Sequence, residues 1–313
     1  MQAVVPDRGI AITKSSGVSL RPPAKINLSL VVFGRRTDGY HELHTIMATV
    51  DLHDDLTLRD ADTLGIHLHC TGLGCPSEGE NLVYRAAELL ADHAGISPAL
   101  EIYLHKRIPA GCGLGGASSD AAACLAGLNR LWKLELSREQ LVPLAAQLGS
   151  DVPFFLYAPV ALCTGRGEMV QPLSHRCSRY VLLIIPDLQV PTAQVYAHYR
   201  SNECRNEDFM RRVRYFLRQG DLDGLVIQGI NSLDCTCMEL FEPIRRLREE
   251  IEQEGIGPLQ ISGSGSCLFT TSGSREQMKQ WAQRLEGRSL AQVYSVTFYH
   301  QTGPFLEVQH ADL

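Results

Sequence analysis

Twelve consecutive residues have the types and spacing to hold a phosphate: Pro109, Ala110, Gly111, Cys112, Gly113, Leu114, Gly115, Gly116, Ala117, Ser118, Ser119 and Asp120. They follow an alternating run at 100–108 that reads as a strand and open a run at 121–132 that reads as a helix. Glycines allow a tight turn and a close approach of backbone to ligand. The helix start supplies unpaired N–H groups and the positive end of its dipole, so the whole is an anion cradle. Gly111, Gly113 and Gly116 also satisfy the dinucleotide fingerprint G-x-G-x-x-G. The preceding strand alternates Leu100, Ile102 and Leu104 with Glu101, Tyr103 and His105, whereas a first dinucleotide-binding strand is apolar throughout. A Walker A loop needs Gly-Lys-Ser/Thr, and here Gly116 is followed by Ala117 and Ser118. The plainest alternative is a glycine-rich turn at a helix start. Two further residues carry chemistry in otherwise apolar contexts. Asp151, after a helical run and before Pro153, has the properties of a general base, and Lys25 lies on a strand whose apolar residues face away from it. Taken singly, the first reads as a solvated helix end and the second as a surface lysine.

The elements that must position these residues are legible as periodicities. A strand spans 21–34, with Ile26, Leu28 and Leu30 alternating against Lys25, Asn27 and Ser29, and a turn at 35–39 follows. Further strands are predicted at 45–52, 55–59, 65–70 and 100–108, with an amphipathic helix over 81–94. Ser137 and Gln140 form a capping box for a helix through Leu148. In the second half, 180–185 is a buried strand, helices are predicted at 208–218, 222–230, 238–254 and 275–285, and strands at 259–269 and 292–299. Strands and helices in hairpin-like order, rather than repeated βαβ units, predict an α+β fold. A flexible extension is expected at 1–20, followed by two domains at 21–165 and 166–313.

Composition narrows the function classes. The 313 residues carry a net charge of -6, so nothing suggests nucleic acid or an anionic membrane as partner. No apolar run approaches the roughly 20 residues of a membrane span. The N-terminus lacks a basic segment followed by an apolar core, so a cytoplasmic location is expected. The ten cysteines include no C-x-x-C pair and read as reduced, small hydrophobes. Cys235 and Cys237 alternate as on one side of an extended segment. His67 and His69 have strand spacing and read as an exposed face; with Cys70 they offer a weakly supported zinc set.

Five separated segments resemble one family, the GHMP small-molecule kinases: Pro23-Ala24-Lys25-Ile26-Asn27-Leu28, Arg36-Thr37-Asp38-Gly39-Tyr40-His41-Glu42-Leu43, the glycine loop, Gly149-Ser150-Asp151-Val152-Pro153-Phe154-Phe155, and Gly263-Ser264-Gly265-Ser266. The resemblance covers about 21–299. It implies an N-terminal domain like ribosomal protein S5, a ferredoxin-like C-terminal domain, and transfer of phosphate from ATP to an alcohol, with Lys25 and Asp151 as the catalytic pair. The Asp-Gly-Tyr-His element is similar to that of members whose acceptor carries a cytidyl diphosphate, in the non-mevalonate route to isoprenoid precursors. Other members phosphorylate mevalonate, phosphomevalonate or homoserine, and a silent nucleotide sensor on the same fold is the rival from another class. By this resemblance Tyr40 stacks on cytosine, His41 reads its edge, and Tyr196, in Pro191-Thr192-Ala193-Gln194-Val195-Tyr196, is a second stacking ring with Thr192 beside it. Asn27 contacts substrate or holds Lys25. Asn81 lies on the adenine side or simply caps its helix. The Gly263 segment shapes the diphosphate site or is only a hairpin turn. Cys112 places a thiol in the nucleotide loop, with expected sensitivity to oxidation. Mg²⁺ is expected to be held mainly by nucleotide phosphates, with Ser119 a candidate ligand. Oligomeric state is not legible.

Overall fold

A computed structural model describes residues 17–174, 177–286, 291–299 and 306–307. Most of the expected N-terminal extension (1–16), and the side chain of Cys204, lie outside the described residues. In chain order, β1 (Gly17–Arg21), β2 (Pro23–Arg35), β3 (His41–His53), β4 (Asp55–Asp60) and β5 (Gly65–Gly72) precede α1 (Leu82–Ala94). β6 (Ala99–Lys106) then enters the glycine loop, which opens α2 (Gly116–Leu131), followed by α3 (Arg138–Leu148), α4 (Val152–Tyr157), β7 (Val160–Thr164) and β8 (Met169–Pro172). The remainder comprises β9 (Tyr180–Pro186), α5 (Thr192–His198), α6 (Glu203–Gln219), α7 (Leu222–Ile227), β10 (Ile230–Asn231), α8 (Asp234–Leu240), α9 (Glu242–Gln253), β11 (Gln260–Ile261), β12 (Leu268–Ser272), α10 (Arg275–Leu285), β13 (Ala291–Thr297) and β14 (Leu306–Glu307).

Among the described residues three sheets form, in the orders β14-β1-β4-β6-β5, β10-β2-β3-β7-β8 and β11-β12-β9-β13. Most neighbours are antiparallel; β5 runs parallel to β6 and β10 parallel to β2. This is the expected α+β class. The first core lies between the first sheet and helices α1 to α4, with Leu90, Leu100, Ile102, Leu125 and Phe155 fully buried. β9 explains the next two. Val181 and Leu183 pack with Ile26, Ile46 and Phe269, while Leu182 and Ile184 pack with Ile244, Leu247 and Trp281. A strand buried on both faces must be continuously apolar, which is why 180–185 reads as it does. Truncating such a residue to alanine costs about 2–5 kcal/mol. Local signals fix the helix ends: Asn81 Oδ1 accepts from Val83 N–H at 3.0 Å, Gly95 closes α1 in the left-handed region, and the Ser137–Gln140 capping box is formed.

Several elements differ from the sequence expectation. The helix expected over 238–254 is two helices meeting at Phe241, because α9 takes Pro243 into its first turn, where the missing N–H costs nothing. Cys235 and Cys237 therefore lie on a helix, one exposed and one buried, rather than on one side of an extended segment. The helix expected at 222–230 ends at Ile227, and Ile230–Asn231 pair instead with Ser29 and Leu30. The strand expected at 259–269 is two strands joined by the Gly263 turn. Residues 17–20 of the expected extension belong to β1, whose register places Val18 against Leu58 and Leu20 against Leu56. His69 stacks on Tyr103 at 4.8 Å, His67 pairs with Thr63 at 3.0 Å, and Cys70 packs on the first core. Among the described residues, no helix is long and apolar enough to cross a membrane, and no three His, Cys, Asp or Glu side chains are grouped to hold a metal ion.

Candidate active site

Lys25 is held from four directions. Its strand β2 pairs with β3, its own N–H donates to Leu114 O of the glycine loop at 2.9 Å, and its ammonium donates to Asn27 Oδ1 at 2.8 Å. The same ammonium lies 3.4 Å from Asp151 Oδ2. The lysine side chain is 4% exposed and the aspartate 32%, so the pair has a covered cation and an open carboxylate. Asn27 is fixed in turn, since its Nδ2 donates to Thr45 Oγ1 at 2.7 Å, and Thr45 donates on to Ser29 O at 2.8 Å. Asp151 occupies the cap position of α4 but makes no side-chain capping bond, which leaves its oxygens available.

The glycines of the loop make these contacts possible. Gly113 and Gly115 adopt φ of +84° and +70°, where a side chain is strained. A Cβ at Gly113 would stand 2.3 Å from Ser262 O, so the loop packs directly on the β11–β12 turn. A Cβ at Gly115 would come within 3.0 Å of Lys25 Cγ and 3.1 Å of Phe155 Cζ. Gly115 thus makes room for the lysine as well as for a ligand. Ser262 Oγ lies 3.0 Å from Gly113 O and 3.4 Å from Asn27 Oδ1, and accepts from Asn27 N–H at 3.4 Å. The hairpin turn therefore braces the loop and Asn27 together. Ser119, in the first turn of α2, is buried with no hydrogen-bond partner for its Oγ. Ser118, Ala117 and Gly116 complete that turn. An unpartnered buried hydroxyl beside a phosphate cradle is the donor type that fits a metal–nucleotide complex.

Lys25, Asn27 and Asp151 open onto a cavity of about 760 Å³ whose walls include Gly113, Tyr40, His41, Thr192 and Tyr196. The turn before β3 sets the first wall. Asp38 Oδ1 accepts from Tyr40 N–H at 3.1 Å, which pulls the Asp38 carboxyl below its ordinary range, and Arg36 bridges Glu42 at 2.7 Å and Asp38 at 3.1 Å. Tyr40 remains 52% exposed, with the Arg166 guanidinium 5.2 Å from its ring centre. The His41 ring lies 5.5 Å from that of Tyr196, tilted by 37°. Burial, and secondarily Arg35, push the His41 pKa down, so at neutral pH the imidazole is neutral and offers both a donor and an acceptor. Burial raises the Tyr196 hydroxyl far enough to keep it protonated. Thr192 and Ser264 hydroxyls are 2.9 Å apart, tying α5 to the Gly263 turn, and Gly263 and Ser264 line the same cavity.

Some expected residues lie elsewhere. Asn81 uses its Oδ1 to cap α1. Pro109, Ala110 and Cys112 line a separate cavity of about 410 Å³ with Ile185, Gln189 and Ser266. The Cys112 thiol is buried, lies 3.1 Å from Pro109 O and has its pKa raised by burial, which disfavours the thiolate through which a cysteine reacts. Sequence reasoning missed Arg166, Tyr199, Ser262 and Thr45, which reach the site only through tertiary contacts. Arg166 alone had a local cue, its position in the turn Gly165-Arg166-Gly167 between two strands.

The chain matches the family model described as GHMP kinases N terminal domain over residues 81–159. It is 37% identical over 287 residues, 91% of this chain and 95% of that protein, to a 4-diphosphocytidyl-2-C-methyl-D-erythritol kinase of Shouchella clausii (strain KSM-K16). The kinase of the same name from Chlorobaculum parvum (strain DSM 263 / NCIMB 8327) is 37% identical over 273 residues, 86% of this chain and 94% of that protein. A crystal structure of 4-(cytidine 5'-diphospho)-2C-methyl-D-erythritol kinase superposes with a TM-score of 0.73 at 34% identity, covering 90% of this chain and 100% of that one. Homoserine kinase from Cytophaga hutchinsonii ATCC 33406 also superposes with a TM-score of 0.73, covering 97% of this chain and 100% of that one; at 19% identity it shares the fold alone.

Proposed function

The chain belongs to the 4-diphosphocytidyl-2-C-methyl-D-erythritol kinases, within the GHMP kinases, and on that premise we propose that it transfers the γ-phosphoryl group of ATP to the 2-hydroxyl of 4-diphosphocytidyl-2-C-methyl-D-erythritol. The observation that carries the assignment is a single cavity lined by Lys25 and Asp151, by Tyr40, His41 and Tyr196, and by Gly113 of the glycine loop. A nucleobase-bearing alcohol requires an aromatic wall and a proton acceptor within one molecule's reach.

In this reading Asp151 accepts the proton of the attacking hydroxyl, the oxygen attacks the γ-phosphorus in line, and ADP leaves. Lys25, fixed by Asn27, neutralises charge that develops between the attacking oxygen and the transferred group. Its preset position means that little reorganisation accompanies the reaction. The N–H groups of residues 113–118 hold the phosphates. Ser119 Oγ would help to hold Mg²⁺ with the nucleotide phosphates, and the ion when bound would neutralise part of the phosphate charge. Tyr40 and Tyr196 hold the cytosine, with His41 at its edge and Thr192 beside the diphosphate. Residues 21–165 carry the nucleotide loop and the catalytic pair together with Tyr40 and His41 of the acceptor wall, and 166–313 add Thr192 and Tyr196 to that wall.

The test is ADP release, coupled to a chromogenic reaction, with the cytidyl acceptor, mevalonate and homoserine offered separately. Turnover with the cytidyl acceptor alone is expected. Turnover with either of the others, or ATP binding without turnover of any, would replace this assignment.

A further inference from the structure

A second lysine lies beneath the glycine loop and takes no part in the chemistry above. Lys106, the last residue of β6, is 5% exposed, and its ammonium contacts two buried carboxylates, Asp54 and Asp120, the latter at 2.5 Å. Each partner belongs to a different structural part. Asp54 joins β3 to β4; its backbone N–H donates to Pro22 O at 3.0 Å, just before the strand that carries Lys25. Its Oδ1 accepts from the N–H groups of Arg107 and Ile108, the first residues after β6. Asp120 lies in α2, one residue beyond Ser119. A Cβ at Gly116 would stand 3.3 Å from the Lys106 ammonium and 2.9 Å from Ile108 Cγ2, so the helix start rests directly on the lysine and the loop entry.

We propose that Lys106, Asp54 and Asp120 form a clamp that positions the phosphate loop for ATP by joining its entry strand, its exit helix and the β2 strand. The two carboxylates differ in their donors. Asp54 receives two backbone N–H groups and the ammonium, whereas Asp120 receives the ammonium alone and leaves Oδ1 without a partner. Lys106 itself stays charged, because Asp120 and Asp54 together outweigh its burial. Being covered, it acts through the loop's geometry rather than by touching nucleotide.

This inference rests on the loop's role in holding ATP. Lys106→Met, Asp54→Asn and Asp120→Asn are measured by calorimetry with ATP alone, with the cytidyl substrate alone, and by steady-state kinetics. Lys106→Met and Asp54→Asn are expected to raise the Kd and KM for ATP about 10- to 100-fold, the scale of a misplaced positioning group, with the cytidyl Kd unchanged. Asp120→Asn, which alters the carboxylate with fewer donors, is expected to shift ATP affinity less than Asp54→Asn. Lys106→Arg, which keeps the charge, should recover part of the loss. A folded Lys106→Met with unchanged ATP affinity overturns the clamp, as does equal loss for both ligands. If Lys106→Met fails to fold, the aspartate variants decide: a larger ATP defect in Asp120→Asn than in Asp54→Asn overturns it. Calorimetry separates this from the assigned reaction. A wild type that binds ATP but does not phosphorylate the cytidyl acceptor refutes the acceptor reading and still tests the clamp, whereas a wild type that binds no ATP removes the basis of both.

Discussion

Two lysine–aspartate assemblies flank the end of the glycine loop, and their differences separate chemistry from architecture. At Gly115 the missing Cβ faces Lys25; one residue on, at Gly116, it faces Lys106. Lys25 meets one carboxylate at 3.4 Å, and that carboxylate is a third exposed. Lys106 meets two carboxylates at hydrogen-bonding distance, both buried. The open pair has slack and access, which proton transfer to and from a substrate requires. The sealed group has neither. A sealed ion group contributes little net stability when intact, but losing one member leaves a buried charge without a partner.

That contrast is broken most directly at Asp151. Asp151→Asn keeps the shape but cannot accept a proton, and turnover is expected to fall about 10²–10⁴-fold, with substrate affinity and melting temperature little changed. Near-normal turnover would show that the open pair is not the reacting one. The sealed group should respond the other way. Asp54→Ala is expected to lower unfolding free energy by about 3–5 kcal/mol in urea titration, and an unchanged midpoint would show that the group is not structurally coupled. Gly115→Val tests the shared ground between them. The Cβ would push against Lys25 and Phe155, so both ATP affinity and turnover should fall, by about 10²-fold in kcat/KM; loss of ATP affinity alone would mean that Lys25 is undisturbed. Away from both lysines, Tyr40→Ala should lose about 1–3 kcal/mol of cytidyl binding in calorimetry, and His41→Ala should lose an edge hydrogen bond, each with ATP affinity retained. Loss for ATP instead would assign this wall to the nucleotide. The smallest effect is expected at the exposed Ser137 cap, where Ser137→Ala should cost about 0.5–2 kcal/mol of stability and leave kinetics as they are.

The two assemblies also differ in how far the sequence reveals them. Lys25 and Asp151 stand in short segments with distinctive neighbours, so residue type and local context suffice to single them out. Lys106 reads as an ordinary strand-end lysine, and its partners are 52 and 14 residues away in sequence. Nothing local links Asp54 to Ile108. Burial on both faces made β9 legible, and side-chain capping made the start of α3 legible. By contrast, β10 and β11 are two residues each and exist through pairing with β2 and β12, which no periodicity can signal. The break at Phe241 was signalled by Pro243, but the run of charged residues after it has the same helical period on either side. Arg166 and Tyr199 join the cavity wall only when β7 pairs with β3 and the Tyr199 hydroxyl donates to Val32 O of β2.

The bracing of Asn27 by Ser262, 235 residues later in the chain, carries a consequence for how such a protein can be taken apart or recombined. The residues that orient Lys25 are contributed by both halves of the gene. Exchanging the second half for that of a relative with another acceptor would therefore alter the setting of the transferring lysine along with the pocket. A chimera would need the β11–β12 turn to travel with the first half. Acceptor specificity in this scaffold is more readily altered by point changes along the cavity wall than by shuffling large segments.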